Sequence, residues 1–263
     1  MPTHALHFTG QGQGPTVVLS HALGCNLGMW DAVAAALQDQ FTVLRYDQRG
    51  HGQSGCTDRP FTIDDMADDA ARLIAQEVGE AVHFVGLSMG GMVAQSLAAR
   101  HPQAVKSIVI ANSASHYDDA ARAQWALRIQ TVQTQGLGAI ADGALARWFT
   151  PVFMQDTVQG GAQQVARMKA ELEALDPRAY AACCDAVAHI DFRASNAGVQ
   201  CPALVIAGTL DQATPLAMSE ALRAQIPGAA LQTIAAAHLS AVEQPQAFAD
   251  LLRTFLQAHA GPN

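Results

Sequence analysis

The sequence has few charged residues, and basic residues are fewer than acidic ones. Only 14% of the 263 residues are charged, with 15 Lys and Arg against 23 Asp and Glu. The net charge of −8 repels nucleic acid and anionic membrane surfaces, so we expect neither as a partner. Half of the residues are hydrophobic, which argues against a disordered chain and fits an enzyme that acts on a small molecule.

Long apolar runs and cysteine pairs at ligand spacing are also missing. No stretch is apolar for long enough to span a bilayer, and residues 1–6 (MPTHAL) lack the basic start and apolar centre of a secretion signal. We therefore expect a cytoplasmic protein without a membrane segment. The five cysteines are odd in number and follow no zinc-ligand spacing, so we predict reduced thiols and no metal site.

Segments typical of strands and helices alternate through the first part of the chain. We predict strands near residues 17–19, 41–46, 82–85 and 105–111, and helices over residues 29–37 and 63–76. This alternation indicates an α/β fold, with a mostly parallel sheet flanked by helices. Residues 116–196 show a helical pattern throughout, which predicts a helical cap inserted over the carboxyl ends of the strands. The expected division is a core of residues 1–115 and 197–263 with a cap of residues 116–196.

The motif GLSMGG at residues 86–91 carries the strongest chemical signal. It follows a β-branched apolar run and precedes apolar residues at helical spacing, so Ser88 falls at a strand-to-helix junction. In a G-x-S-x-G elbow the serine backbone is strained, and the flanking glycines let strand and helix pass closely. This arrangement exposes the serine oxygen, and we predict that Ser88 is a nucleophile.

A nucleophilic serine needs a base and an acid that orients the base. Residues 202–208 (PALVIAG) predict a buried strand, and Asp211 lies in the loop that follows it. A second apolar run at residues 230–234 precedes His238. The chain order of serine, acid and histidine, each placed after a strand, matches that of the α/β-hydrolases. We therefore predict a catalytic triad of Ser88, Asp211 and His238.

The segment SHALG at residues 20–24 occupies the place of the oxyanion loop in such enzymes. The backbone N–H groups of Leu23 and Met89 are the expected oxyanion donors. Ala22 stands where glycine is more usual, so this loop must reach its geometry without glycine's freedom. We expect His21 to brace the loop by hydrogen bonds, and a structural role for His51 in the glycine-rich segment 45–54.

Five stretches together resemble the 3-oxoadipate enol-lactonase family: residues 20–31, 44–52, 86–91, 147–150 and 180–186. The first three are shared by many α/β-hydrolases, whereas RWFT at 147–150 and YAACCDA at 180–186 are more particular to these lactonases. The resemblance runs nearly end to end. It implies an α/β-hydrolase fold, opening of an enol-lactone to 3-oxoadipate in aromatic catabolism, and no metal or organic cofactor.

In the mechanism that the resemblance implies, Ser88 attacks the lactone carbonyl and forms an acyl-enzyme, which water then releases. The substrate also carries a free carboxylate. Trp125 and Arg128 lie three residues apart on one helix face and are candidates for the ring and the carboxylate, with Trp148 as a third cap residue. The alternative for Trp125 and Arg128 is an aromatic of the cap core and a solvated charge.

Two other functions stay open at this point. The segment 129–135 (IQTVQTQ) is uncharged, which is compatible with a broader carboxylesterase or lactonase acting on uncharged esters. A ligand-binding protein that keeps the fold without turnover is the remote alternative, and an intact triad argues against it. The serine at position 88 excludes the carboxylate nucleophile of dehalogenases and epoxide hydrolases but not perhydrolases or cofactor-free oxygenases.

Overall fold

A seven-stranded sheet forms the centre of the computed structural model, which describes residues 6–57 and 59–259. Its strands are β1 (Phe8–Gly12), β2 (Thr16–Ser20), β3 (Thr42–Tyr46), β4 (Val82–Leu87), β5 (Val105–Ala111), β6 (Ala203–Gly208) and β7 (Ala230–Ile234). They lie in the order β1-β3-β2-β4-β5-β6-β7, and every neighbouring pair is parallel except β1 with β3. The predicted α/β-hydrolase topology, with a mostly parallel sheet, is therefore confirmed.

Helices connect these strands. They are α1 (Asp31–Leu37), α2 (Ile63–Glu77), α3 (Met89–Arg100), α4 (Asp119–Gln135), α5 (Gly138–Trp148), α6 (Pro151–Gln155), α7 (Gly161–Glu173), α8 (Pro177–Ala188), α9 (Leu216–Gln225), α10 (Ser240–Glu243) and α11 (Pro245–Ala258). Among the described residues, no helix is both long and apolar enough to cross a bilayer.

Burial follows the sequence pattern of the central strands. All residues of β2, β4 and β6 are buried, as expected for parallel strands that are covered by helices on both faces. The amphipathic helix α2 starts with a capping box in which Thr62 and Asp65 satisfy each other's backbone N–H groups, and it packs against α3. These layers hold the carboxyl ends of β2, β4, β5, β6 and β7 at one edge of the sheet.

Helices α4 to α8 lie between β5 and β6 in the sequence, and we call them the helical insertion. All of residues 116–196 are described, and their only β pairing is an isolated bridge between His116 and Asp191. The helical pattern predicted there is thus present. The division of the chain at residues 115 and 196 into core and cap stays a prediction.

Two local predictions need correction. The sequence pattern does not predict strand β1, because FTGQG contains two glycines and its apolar and polar residues do not alternate regularly. In the structure β1 pairs antiparallel with β3 at the edge of the sheet and is half-exposed. The helix predicted over residues 29–37 is instead a 3₁₀ turn (Leu27–Trp30) followed by α1. Asn26 caps that turn by accepting a hydrogen bond from the backbone of Gly28. The segment lacking a secretion signal falls mostly outside the described residues, which begin at residue 6.

Candidate active site

Ser88 joins the end of β4 to the start of α3 in a strained conformation. Its φ of 56° and ψ of −114° define a backbone conformation that residues other than glycine rarely adopt. The two flanking glycines are required by packing: a Cβ on Gly86 would collide with the carbonyl of Gly90, and a Cβ on Gly90 would collide with the carbonyl of Ser20. The backbone at residues 86–90 therefore has the tight elbow geometry that the motif predicts.

The three residues predicted as a triad lie in one hydrogen-bonded chain. Oγ of Ser88 lies 2.9 Å from Nε2 of His238, and Nδ1 of His238 lies 2.8 Å from Oδ2 of Asp211. This is the arrangement in which Nδ1–H donates to the carboxylate and Nε2 accepts from the serine hydroxyl. His238 and Asp211 are both buried, so water does not compete strongly for these bonds. The chain can therefore transfer the serine proton to the imidazole.

Asp211 is held as an anion by its surroundings. Its Oδ1 accepts from the backbone N–H groups of Ala213 (2.7 Å) and Thr214 (2.9 Å), and its Oδ2 accepts from the Thr214 hydroxyl (2.7 Å). Burial works to raise the pKa of Asp211, but the charge and hydrogen bond of His238 and these donors outweigh it and bring the pKa to about 2. Asp211 thus keeps its negative charge at any pH at which the protein would operate.

Asn112, which as an amide cannot replace Asp211 as the anion, is a further member of this network. Its Nδ2 donates to Oδ2 of Asp211 over 2.9 Å, while its Oδ1 accepts from the Ser240 hydroxyl at 2.6 Å. Asn112 is fully buried at the end of β5 and has a positive φ of 46°. The sequence signal was its place directly after a strand, at the same sheet edge as the other site residues.

Two buried histidines fix the loop that carries Leu23 by hydrogen bonds to the backbone. His51 Nε2 accepts from the backbone N–H of Gly24 at 3.0 Å, and His21 Nε2 accepts from the backbone N–H of Gln48 at 2.9 Å. Burial lowers the pKa of His21 to about 4 and that of His51 to about 3, and the closeness of the two rings adds to the second effect because both cannot readily be protonated together. Both rings are therefore neutral, as accepting through Nε2 requires.

No described group accepts a hydrogen bond from the N–H of Leu23, and the N–H of Met89 opens α3, where no intrahelical acceptor exists. Both donors border the cavity region at Ser88, because Leu23 lines that cavity and Met89 follows the serine directly. Their use as an oxyanion hole stays a prediction. The expected structural role of His51 agrees with its bond to Gly24, one residue from Leu23.

A cavity of about 540 Å³ opens above Ser88 and His238. The insertion supplies one wall of it, which includes all three predicted substrate residues: Trp125, Arg128 and Trp148. Trp125 is half-buried, with the Arg128 guanidinium 5.8 Å from its ring centroid. A larger groove of about 1110 Å³ runs beside α6 and α7, but neither Ser88 nor His238 lines it, so of the two only the smaller cavity gives access to Ser88.

Arg147 is a second cation of this cavity that sequence reasoning did not select. Partial burial, followed by the charge of Arg128, lowers the pKa of Arg147, and both arginines line this cavity. Arg128 donates from Nε (2.9 Å) and Nη2 (2.5 Å) to the hydroxyl of Tyr180. Among the described residues, neither arginine has a carboxylate partner, and no Asp or Glu lines the cavity. The cavity is therefore positively charged within a protein of net charge −8.

The histidine loop is tied to the insertion by one carboxylate. Glu243 accepts from the backbone N–H of Ala237 at 3.0 Å, and on the other side from the hydroxyl and the backbone N–H of Thr150. The N–H of Leu239 also donates to the carbonyl of Trp148 at 3.0 Å. These bonds flank His238 on both sides, so the position of the base depends on the segment at residues 148–150.

The cysteines nearest to the site show no sign of reactivity. Cys25 is fully buried beside the Leu23 loop, and burial raises the pKa of its thiol far above the usual range. Burial likewise raises the pKa of Cys183 and Cys184 in α8. Within the described part of the chain, no group of three or more His, Cys, Asp or Glu side chains is arranged to hold a metal ion.

Comparisons with known proteins agree with this architecture. The profile of the alpha/beta hydrolase fold family matches residues 15–245. The chain is 37% identical to 3-oxoadipate enol-lactonase 2 of Acinetobacter baylyi, over 91% of this chain and 87% of that protein. The enol-lactonase of Burkholderia xenovorans has a crystal structure that superposes with a TM-score of 0.90 at 35% identity, covering 96% of both chains.

A thermophilic esterase from Thermogutta terrifontis, solved with malate bound, superposes with a TM-score of 0.89 at 26% identity, covering 97% of this chain and 94% of that one. The family resemblance inferred from the five sequence stretches is therefore confirmed. The chain belongs to the alpha/beta hydrolase fold family, and its relatives there include 3-oxoadipate enol-lactonases.

Proposed function

We propose that this protein is a serine hydrolase that opens a small lactone bearing a free carboxylate, with 3-oxoadipate enol-lactone as the substrate that fits best. One observation carries the choice of substrate. The cavity above Ser88 contains Arg128 and Arg147 and no acidic side chain, although the protein as a whole is strongly acidic. A cavity of this charge attracts an anionic substrate and holds its carboxylate.

In the proposed reaction, Ser88 attacks the lactone carbonyl while Nε2 of His238 accepts the serine proton, which the 2.9 Å separation permits. The N–H groups of Leu23 and Met89 stabilise the negative charge on the carbonyl oxygen. The ring C–O bond then breaks and leaves an acyl-enzyme. His238 next activates a water molecule that releases the diacid, and Asp211 holds the imidazole in the tautomer that both steps need.

The substrate-binding roles follow from the walls of the cavity. Tyr180 holds Nε and Nη2 of Arg128 in place, so the guanidinium is fixed at the wall of the cavity where a carboxylate can meet it. Arg147 adds a second cation to the lining of the same cavity. Trp125 and Trp148 supply flat apolar surface for the lactone ring. Two relatives are named enol-lactonases, and the structural neighbour from Thermogutta was solved with a dicarboxylic acid, malate, bound.

The resemblance to the enol-lactonases also leads us to propose a place in aromatic catabolism, a cytoplasmic location and no cofactor. The helical insertion acts as the cap of the active site in this proposal. These assignments depend on the relatives and on the substrate. A failure of the enzymatic test described below would therefore contradict them too.

The second candidate is a carboxylesterase of broader range that acts on uncharged esters. Several apolar side chains line the same cavity, among them Leu127, Ile140 and Met218, and the Thermogutta neighbour is an esterase. Such an enzyme would use the same three residues but gain little from the arginines. A ligand-binding protein without turnover is disfavoured, because Ser88, His238 and Asp211 keep complete hydrogen bonding.

The deciding experiment follows the loss of enol-lactone absorbance with the wild-type protein and with Ser88→Ala, beside 4-nitrophenyl acetate as a generic ester. We expect rapid lactone opening that Ser88→Ala abolishes, and a much lower kcat/KM on the generic ester. Hydrolysis of the ester without lactone opening would refute the lactonase assignment and favour the carboxylesterase.

The arginines are tested on the same two substrates. Arg128→Leu and Arg147→Leu should each lower kcat/KM on the lactone by about 10- to 100-fold, since a hydrogen bond to a charged group contributes about 1.5–3 kcal/mol. The generic ester should be affected little. Arg178→Leu removes an exposed arginine of α8 outside this cavity and serves as the matched control. Equal losses on both substrates would contradict recognition of the carboxylate.

A further inference from the structure

Tyr117 has a hydroxyl group for which the described protein offers no partner. The chain has three tyrosines. The hydroxyl of Tyr46 bonds with that of Ser20 at 2.8 Å, and the hydroxyl of Tyr180 accepts from Arg128. Tyr117 forms no hydrogen bond with any described residue, although its side chain is only 8% exposed. The hydroxyl oxygen itself is not enclosed by protein, because Tyr117 lines the cavity, so it is accessible to a molecule bound there.

The position of Tyr117 points to the reaction centre. It lies in the loop after β5 and lines the same cavity as Ser88 and His238. Its ring packs edge-on against Trp125, with centroids 5.9 Å apart and an interplanar angle of 64°. This packing holds the ring in place without any hydrogen bond from the hydroxyl, which leaves that group available to a molecule in the cavity.

The strand order places Tyr117 on a defined side of the nucleophile. Ser88 follows β4; the neighbouring strand β2 leads to Leu23 on one side. On the other side lie β5, β6 and β7, which lead to Tyr117, Asp211 and His238 in turn. The carbonyl oxygen of a substrate therefore faces the Leu23 side. The leaving group faces the opposite side, because His238 is the group that delivers a proton to it.

Tyr117 is a neutral donor in this position. Burial, together with the negative charge of Asp211, raises the pKa of its hydroxyl. The hydroxyl therefore keeps its proton during the reaction and acts only through a hydrogen bond. A neutral O–H group favours an oxygen atom on which negative charge develops.

We propose that the hydroxyl of Tyr117 donates a hydrogen bond to the leaving oxygen of the substrate as its bond to the acyl carbon breaks. The inference rests on the proposed hydrolysis through Ser88. When the tetrahedral intermediate collapses, the C–O electron pair passes to the leaving oxygen, and the proton held on Nε2 of His238 is delivered to the leaving group. Tyr117 keeps its own proton and shares it with the developing anion, so the stabilisation is greatest for the most basic leaving group.

The test uses monoaryl esters of adipic acid, which keep a free carboxylate on the acyl side and vary only the leaving group. The 4-nitrophenyl, 4-chlorophenyl and phenyl esters have leaving phenols of increasing basicity. Tyr117→Phe keeps the ring and its contact with Trp125 while removing the hydroxyl. We expect kcat/KM of Tyr117→Phe, which reports the acylation step in which the leaving group departs, to fall little on the 4-nitrophenyl ester and about tenfold or more on the phenyl ester, as expected for the loss of one hydrogen bond to a developing charge.

Several outcomes would overturn this role. Equal losses of kcat/KM on all three esters would mean that the hydroxyl has only a structural role in the wall that Tyr117 forms between this cavity and a smaller neighbouring cavity. A rise in KM that is the same for the three esters would assign the hydroxyl to the substrate carboxylate instead. If the wild-type enzyme, compared with Ser88→Ala, hydrolyses none of the esters or the enol-lactone, the proposed function itself fails, and this result is distinguishable from a failure of Tyr117 alone.

Discussion

The side-chain amide of Asn112 donates to Oδ2 of Asp211 over 2.9 Å, and this is the same oxygen that receives Nδ1 of His238 at 2.8 Å. Asn112 comes from the end of β5 and Asp211 from the loop after β6, so two neighbouring strands deliver two side chains of nearly equal shape to one spot. The side chain of residue 112 therefore lies within hydrogen-bond distance of the carboxylate oxygen that contacts His238.

This relationship predicts a partial exchange of roles. Asp211→Asn should lower kcat about 10⁴-fold, as the loss of the orienting acid does in a serine triad. Adding Asn112→Asp to that variant should recover tenfold or more of the lost activity, because a carboxylate returns within reach of Nδ1 of His238. The measurement is kcat on the enol-lactone for both single variants and the double variant.

Asn112→Asp alone is the control for this experiment. It places two carboxylates side by side, and we expect a lower kcat than wild type because like charges at this distance oppose each other. A double variant no more active than Asp211→Asn would show that position 112 cannot support the base.

His51 supports a second prediction, which concerns the oxyanion loop. His51→Ala leaves the buried N–H of Gly24 without an acceptor and loosens the loop that carries Leu23. Oxyanion donors act in the transition state, so kcat should fall about tenfold or more while KM changes little. Steady-state kinetics on the lactone checks this.

His83→Ala is the matched variant. His83 is equally buried but bonds the Ser107 hydroxyl at 2.7 Å in the interior of the sheet, far from the oxyanion loop in the fold. It should lower stability and leave kcat nearly unchanged. Equal losses of kcat in the two variants would contradict a specific role for His51.

The same histidines predict how stability depends on pH. Burial lowers the pKa of His21 and His83 to about 4 and that of His51 to about 3, against about 6.5 in the unfolded chain. Between pH 6.5 and 4 the unfolded chain takes up protons that the folded protein does not. The free energy of unfolding should therefore fall with falling pH, by about 1.4 kcal/mol per pH unit for each such histidine.

Urea unfolding at pH 7.5, 6 and 5 measures this slope. His83→Ala removes one of these three titrating groups and should reduce the slope by about one proton. A wild-type slope close to zero over this range would contradict the burial of these groups as neutral rings.

Much of the site was predictable because its residues follow strands. Ser88, Asp211 and His238 each come directly after an apolar run, and parallel strands bring their carboxyl ends to one edge of the sheet. The strand order and the α/β-hydrolase topology therefore follow from local patterns. The edge strand β1 does not, because its polar, glycine-containing sequence is stabilised by pairing with β3 and not by its own propensity.

Residues of the helical insertion were less predictable for a physical reason. Helical periodicity indicates which residues share a face of one helix, and Trp125 and Arg128 were identified in this way. It does not indicate how α4 packs against α5, so the presence of Arg147 and Arg128 in one cavity could not be inferred. Tyr117 and Asn112 lie outside helical or strand periodicity, and only the folded structure shows what surrounds them.

The hydrogen bonds of Glu243 predict that the helical insertion influences the position of His238. Glu243→Gln removes the charge and replaces one acceptor oxygen with a donor, so at least one of the N–H and O–H groups of Ala237 and Thr150 loses its partner. We expect a loss of about 1–3 kcal/mol in the free energy of unfolding and a lower kcat, because the loop that carries His238 is no longer fixed. Thr150→Ala removes one of the donors and should show a smaller loss of both. Urea unfolding and kinetics that are unchanged in Glu243→Gln would contradict this coupling.

The last prediction concerns Gly90 of the elbow, with Gly143 of α5 as the glycine for comparison. A Cβ on Gly90 would collide with the backbone carbonyl of Ser20, and backbone atoms of a central strand cannot move aside. Gly90→Ala should therefore unfold the protein or lower its stability by several kcal/mol. Gly143→Ala in the middle of α5 meets no atom within 4 Å, and it should raise the free energy of unfolding by about 0.5–1 kcal/mol, because alanine favours a helix interior over glycine. Thermal unfolding of both variants measures the difference, and a Gly90→Ala protein as stable as wild type would show that β2 and α3 do not approach as closely as the structure indicates.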